Sequence, residues 1–330
     1  MIRKLIPLST ILLIFITSCN TPPDFVVDIS HIEDIKINIK RYDKALFGIN
    51  PDSLRTELNS LKKDFDFFIG DEIDTFDIIN LYNYLTDPTV KKTFEDASAV
   101  YHDLGFLEKE LSEAFRYMKY YFPNKKTPEV YTYISGFDFE HPIKYVDSVL
   151  IIALDMYLGK SYYFYPMLGI PDYKSYRMRK ESIVVDCVNE IGVSMLPISH
   201  TQMSFLDKMI YEGKILYFKD IILPLTSDSL KIGYTKEQLD WCIKNEAHIW
   251  GFFLEQDFLY SNDRKLISRF MDDGPYTQSF DTTSPARTGA YIGWQIVRAY
   301  MRNTDSSIEE LLKMNDSQQI LKKSKYKPKK

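Results

Sequence analysis

The chain has 330 residues, 45% of them hydrophobic, with 41 Lys and Arg against 46 Asp and Glu, for a formal net charge of −5. That apolar content supports a packed core and excludes a disordered stalk. No basic stripe runs through the body of the sequence, so nucleic acid is not expected as a partner.

Arg3 and Lys4 precede a mostly apolar, uncharged run from Leu5 to Ile16, and the small residues Thr17 and Ser18 follow. Charge, apolar run and small residues, in that order, are the layout of a secretory signal. The run is too short to span a bilayer as a mature helix. Ile16-Thr17-Ser18-Cys19 resembles the lipobox of bacterial lipoproteins. That resemblance implies cleavage before Cys19 and lipid on its sulfur. One acyl chain holds only weakly, so the several chains of this modification are what make the anchor durable. Residues 1–18 are therefore expected as a signal peptide and 19–24 as a lipidated tether, with Pro22-Pro23 favouring an extended chain. Loss of Arg3 and Lys4 leaves 39 basic residues against 46 acidic, a net charge of −7. About 312 residues remain, enough for one large domain or two small ones. Of the later apolar runs, Val149 to Leu158 comes closest to spanning length, but it is short and contains Asp155. The body is expected to sit beside the membrane.

Phe25 to Ile29 reads as a strand, and Ile35, Ile37 and Ile39 alternate with polar residues as a half-buried strand does. Asn50 as cap with Pro51 at the first position opens a helix, in which Leu54, Leu58, Leu61, Phe65 and Phe68 keep helical spacing. Asp87-Pro88 repeats the start signal. Leu107, Leu111, Phe115 and Met118 mark a helix stopped by Pro123. Val130 to Ile134 and Val149 to Leu154 are apolar or β-branched runs bounded by turns, hence strands. From about Glu181 the pattern is helical: Ile183 to Leu196 stopped by Pro197, then Phe205 to Ile222 stopped by Pro224. Thr235-x-x-Gln238 is a capping box opening a helix through Phe258. Asp263 caps the next, Gly289 to Arg302 is amphipathic, and Ser307-x-x-Glu310 is a second capping box. The tail from Lys322 to Lys330 carries six lysines and reads as a solvated, frayed end, with anionic lipid or a partner as the other option. The expectation is an α+β fold, mostly helical: one globular domain over residues 25–320 with a small sheet, and a basic tail at 321–330.

Cys187 and Cys242 lie in helical patterns. The compartment permits a disulfide between them, and two buried thiols are the other reading. Tyr157, Tyr162, Tyr163, Tyr165, Tyr173 and Tyr176 crowd one segment; they could hold a glycan or peptide, or pack their rings on the core.

The sequence has no glycine-rich phosphate loop, no serine elbow and no CxxC, and none of its five histidines lies four residues from another. One carboxylate constellation stands out. Asp186 and Glu190 are four apart on an expected helix and share a face. Glu212 follows 22 residues later on the next expected helix, in Tyr211-Glu212-Gly213. Two ligands at i and i+4 with a third on a following helix is the layout of a His-Glu-x-x-His zinc site. Here Asp186 and Glu190 stand in place of the histidines, and Cys187 in place of the general-base glutamate. Zinc prefers nitrogen and sulfur, whereas three carboxylates suit calcium or magnesium. The alternative for these acids is pairing with Arg177, Arg179 or Lys214. Activity would need a further group near the metal, for which Asp155 and His248 are the candidates.

Ala153-Leu154-Asp155-Met156-Tyr157-Leu158-Gly159 and Glu212-Gly213-Lys214-Ile215-Leu216-Tyr217-Phe218 resemble the gliding-motility lipoprotein GldB family. So do Gly233-Tyr234-Thr235-x-x-Gln238-Leu239-x-Trp241, Asn245-Glu246-x-x-Ile249-Trp250, and Ser284-Pro285-x-Arg287-x-Gly289 followed by Ile292-Gly293-Trp294-Gln295-Ile296-Val297. The blocks run in order from about residue 150 to 302. The resemblance implies an envelope lipoprotein of Bacteroidetes gliding machinery tied to type IX secretion, without implied enzymatic activity and with no cofactor expected. Its implied partners are other gliding or secretion envelope lipoproteins and membrane proteins, besides the bilayer reached through Cys19. Glu212-Gly213…Tyr217-Phe218 and Arg287…Ile292-Gly293 also resemble a distant class of predicted zinc peptidases, which implies a zinc-peptidase-like domain with a degenerate metal site. Fold analogy alone does not decide activity. Three readings follow: a non-catalytic assembly or scaffold protein, a metal-dependent peptidase or hydrolase of the envelope, and a glycan-binding lipoprotein. Asn20 after Cys19 favours an outer-membrane anchor, with the domain facing the periplasm.

Overall fold

The computed structural model describes residues 25–70, 73–197 and 203–328. Cys19 and the signal and tether segments lie outside them, as do His200 and the last two lysines. Among the described residues no helix is long and apolar enough to cross a membrane.

The fold is α+β and mostly helical. In chain order it runs β1 (Lys40–Arg41), α1 (Tyr42–Phe47), α2 (Leu54–Ile69), α3 (Thr75–Thr86), α4 (Pro88–Val100), α5 (Gly105–Tyr121), β2 (Glu129–Tyr133), β3 (Ile143–Val146) and β4 (Val149–Ala153). It continues with the short α6 (Phe164–Met167) and α7 (Asp172–Ser175), then α8 (Ile183–Met195), α9 (Phe205–Ile222), α10 (Asp228–Ile232), α11 (Lys236–Glu255), α12 (Arg264–Met271), α13 (Thr288–Asn303), α14 (Ile308–Lys313) and α15 (Ser317–Ser324).

The four strands form one sheet in the order β1-β2-β4-β3. β1 and β4 both pair with β2 in parallel, and β3 returns antiparallel on β4. The β3–β4 hairpin turns at Asp147 and Ser148, whose φ values are 49° and 64°. Two consecutive left-handed residues are what a two-residue hairpin turn demands. Asp-Ser is a weaker signal for it than Asn-Gly, which is why β3 was not anticipated.

Cap chemistry sets most helix starts. The Asn50 side chain accepts from Asp52 N ahead of α2, and Asp87 accepts from Thr89 N and Val90 N at α4. Both expected capping boxes are present, Thr235 with Gln238 at α11 and Ser307 with Glu310 at α14. α3 has a box of its own, Asp74 with Asp77. The expected strands at Phe25–Ile29 and Ile35–Ile39 are a correction. Ile37 and Ile39 are buried as the alternation requires, but the ladder starts only at Lys40. The backbone there is satisfied by side chains instead: Ile39 N donates to Glu108 Oε1 at 3.0 Å, and Arg116 donates to the carbonyls of Ile29 and Ile32, each at 3.0 Å.

The larger core draws on β2, β4, α5 and the helices from α8 onward. A second cluster lies under α1 and α2, where Tyr42 stacks on Phe68 at 4.1 Å between ring centroids. α9 is buried nearly all round, with the charged Lys214, Lys219 and Asp220 among its buried residues. It crosses α13 at two glycines. A Cβ on Gly293 would lie 1.8 Å from Met209 O, and one on Gly213 would lie 2.4 Å from Gly293 O. The two backbones meet there because neither residue has a side chain.

The C-terminal tail is also a correction. α15 packs against α13, Ser324 is fully buried, and Asn303 Nδ2 donates to Ser324 O at 2.6 Å. Tyr326 Oη donates to Glu246 Oε1 at 2.9 Å. The tail is held through Tyr326, because an aromatic ring and a hydroxyl outweigh the solvation of the flanking lysines. Cys187 and Cys242 are free and buried, and desolvation pushes both thiols up.

Candidate functional site: a charged cavity beside α8 and α9

α8 carries Asp186, Asn189, Glu190 and Val193 at i, i+3, i+4 and i+7, one stripe of a helix. α9 carries Glu212, Ile215 and Lys219 at i, i+3 and i+7. Residues of both stripes line one cavity of about 460 Å³. Its opposite wall comes from Tyr176, Arg177 and Arg179, from Ile232-Gly233 at the end of α10, and from Asp273 and Arg287. Gly233 has φ +79°, and a Cβ there would lie 2.7 Å from Arg177 Cδ. Glycine therefore serves both the turn and the close approach of Arg177.

Five cationic side chains and three carboxylates line the cavity. Arg287 is central. It caps α13 in a left-handed conformation, φ 58°. Its Nη2 donates to Glu212 Oε2 at 3.1 Å and its Nη1 to Ile232 O at 3.1 Å, while Nε lies 3.9 Å from Asp273 Oδ1. Burial disfavours the guanidinium charge, but Glu212 and Asp273 outweigh that and raise its pKa. Arg177 Nη2 meets Asp273 Oδ2 at 2.5 Å. Lys231 turns its ammonium away, to Asp220 at 3.0 Å.

Asp186 accepts from Tyr157 Oη at 2.9 Å. Desolvation raises its carboxyl, opposed by Lys219, Tyr157 and Arg177. Lys219 donates to Lys231 O at 3.0 Å. Burial lowers its amine to about 8, with Asp186 pulling the other way. The wall thus holds an amine lowered to about 8 facing a carboxyl that ionises reluctantly.

Of the three carboxylates expected to converge, Asp186 and Glu212 face this cavity. Glu190 opens instead to a neighbouring cavity of about 310 Å³, beside His141 and Lys174, and Asn189 Nδ2 donates to it at 3.2 Å. Arg177, Asp186, Asn189 and Asp273 line both cavities. Each of the three acids is met by a protein donor. Among the described residues no group of three or more His, Cys, Asp or Glu side chains could hold a metal ion. The donor set does not fit the zinc, calcium or magnesium arrangement that the spacing suggested. The pairing alternative had the right kind of partner but the wrong residues: Arg177 goes to Asp273, and Lys214 binds the carbonyls of Leu312 and Met314.

Asp155 does not serve the cavity. It is fully buried and accepts from Ser135 N, Ser135 Oγ and Phe137 N, fixing the loop after β2. His248 is exposed on α11 with its ring against Phe280. In the tyrosine-rich segment Tyr157 and Tyr165 are core residues, while Tyr162 and Tyr163 both donate to Asp96 at 3.1 Å. Tyr157, Lys219, Asp273 and Arg287 were not anticipated as site residues. Lys219 had a signal, since it sits two helical turns beyond Glu212 on the same face. Arg287 lay inside one of the resembling blocks, but nothing in spacing ties it to a residue 75 positions earlier.

The family model described as gliding motility protein GldB matches residues 23–328. Comparison with curated proteins and with solved structures gave no match.

Proposed function

Because this chain belongs to the gliding motility protein GldB family, we propose that it is a membrane-anchored lipoprotein component of the Bacteroidetes gliding and type IX secretion envelope machinery, acting as a non-catalytic assembly or scaffold protein. The observation that carries the non-catalytic part is the Glu212–Arg287 pair at 3.1 Å. To ligate a metal, Glu212 would first have to give up this pairing, which supports the non-catalytic reading. The anchor rests on Cys19 and its flanks, and an outer-membrane location rests on Asn20; the domain is proposed to face the periplasm. The proposed partners are other envelope lipoproteins and membrane proteins of the same machinery.

The experiment is gene deletion followed by complementation with the natural chain or with Cys19→Ala. Deletion should abolish surface display of adhesins, envelope protein export or motility, and Cys19→Ala should fail to restore them at normal abundance. Intact export, display and motility after deletion would reject the proposal.

A second reading is a hydrolase of the cell envelope working from the same cavity. It is favoured by the Lys219 amine at about 8 facing Asp186. Its metal-dependent form would require Glu212 to leave Arg287. Glu190→Ala and Glu212→Ala should then abolish turnover of envelope peptides, and unchanged turnover would remove this reading.

A further inference from the structure

We propose that the face bearing Phe25, Arg302, Lys325 and Lys327 docks on an anionic phospholipid surface. The inference rests on the lipid-anchor reading for its geometry, and on charge and packing for its chemistry.

The two ends of the described chain meet on this face. The Phe25 ring lies under Lys231 Nζ at 4.9 Å and near the Arg298 guanidinium at 5.7 Å. Tyr326 is fixed by its hydrogen bond to Glu246 and by an edge-on contact with Trp250 at 5.5 Å. Phe25, Arg298, Arg302, Lys325, Tyr326 and Lys327 line one concavity of about 860 Å³. Cys19 is six residues from Phe25, a stretch that cannot exceed roughly 20 Å. Lipid on Cys19 would therefore hold this face close to the bilayer.

The charge on the face is not balanced from within. Its two acids are already engaged: Asp228 by Arg298 at 2.8 Å, and Glu246 by the hydroxyls of Tyr291 and Tyr326. Arg302, Lys325 and Lys327 are exposed, and among the described residues they form no ion pair. Lys322 and Lys323 are exposed on the adjoining α15. Ile243, 51% exposed, adds an apolar residue to the wall. Cations held within a Debye length of an anionic leaflet strengthen binding roughly fivefold each. An acidic protein partner would use the same cations, but the short reach from Cys19 favours the lipid.

The test uses the mature chain purified from envelopes, and the mass of its N-terminal peptide first reports whether Cys19 carries lipid. If it does, an environment-sensitive fluorophore is attached through Ile243→Cys, the two native thiols of the body being buried. The chain is then placed in vesicles of phosphatidylcholine alone or mixed with phosphatidylglycerol. The probe should shift in the mixed vesicles only, and the shift should vanish in high salt and in the exposed triple variant Arg302→Glu, Lys325→Glu, Lys327→Glu. If Cys19 carries no lipid, the anchor reading fails by itself and sedimentation with the same vesicles tests docking. Retention should then be at least about tenfold greater on the anionic vesicles and lost in the triple variant. Equal behaviour on both vesicle types, or a folded triple variant that behaves as the natural chain, would overturn the proposal in either arm.

Discussion

Glu212 on α9 and Arg287 at the start of α13 form an ion pair of 3.1 Å on the wall of the charged cavity beside α8. The pair joins two sequence blocks 75 residues apart. It places a guanidinium against the third carboxylate of what reads, by spacing, as a metal constellation. It also ties α9 to the last carbonyl of α10, that of Ile232, through Arg287 Nη1.

Loss of the arginine should cost more than loss of the acid. Arg287→Ala strands Glu212 and the Ile232 carbonyl together, and we expect about 2 kcal/mol of destabilisation. Glu212→Gln should cost less, because Arg287 keeps its carbonyl and Asp273. A urea double-mutant cycle reads the coupling directly; additive effects would show that the two side chains do not interact.

Two buried lysines set a pH dependence. Burial lowers both Lys214 and Lys219 to about 8, from 10.5. Between those values the unfolded chain binds more protons than the folded one, so stability rises with pH through that window. Each unit of depression corresponds to about 1.4 kcal/mol. Urea midpoints should therefore climb from about pH 7.5 toward about 8.5, below the range where the buried thiols and tyrosines, pushed up by burial, act with the opposite sign, and Lys214→Met with Lys219→Met should flatten the climb. A falling or flat profile in the natural chain would contradict the assignment.

The helix crossing tolerates no side chain. Gly293→Ala would put a methyl 1.8 Å from Met209 O, so the helices must separate. Overpacking of this kind should cost about 3 kcal/mol, seen as a lowered urea midpoint at unchanged slope. Gly251→Ala, where a Cβ meets nothing within 4 Å, is the control and should be neutral or slightly stabilising.

Asp220 anchors a buried network. It is fully buried and accepts from Lys231 at 3.0 Å, from Trp294 Nε1 at 2.8 Å and from Arg298 Nε and Nη2, each at 2.7 Å. Asp220→Ala leaves Lys231 and Arg298 to share the half-buried Asp228 alone and strands Trp294 Nε1, and should cost about 3–5 kcal/mol. Thermal unfolding checks it; a loss below 1 kcal/mol would mean that water replaces the carboxylate.

Local chemistry was legible, and distant pairing was not. Asn50-Pro51, Asp87-Pro88, Thr235-x-x-Gln238 and Ser307-x-x-Glu310 opened helices where their side chains can cap, because a cap acts within four residues. α3 escaped notice because Phe76 and Ile79 face outward, so its apolar residues do not mark one buried stripe. Ile35–Ile39 misled because alternation reports burial and not a ladder partner. At the site, i, i+4 spacing and a following helix correctly put Asp186 and Glu212 on one cavity. Glu190 turned to the next cavity, since a helix stripe spans more than one groove. Arg287 reaches Glu212 only through the α9–α13 crossing, and that crossing is written in two glycines that look unremarkable alone.

The most direct test of the account is complementation of the deletion strain with Asp186→Asn, Glu190→Gln and Glu212→Gln together, at verified abundance and fold. A non-catalytic envelope component should still support adhesin display, export and motility with all three carboxylates neutralised. Failure of the folded triple variant, with the Cys19 anchor intact, would contradict that account and make the cavity a working active site.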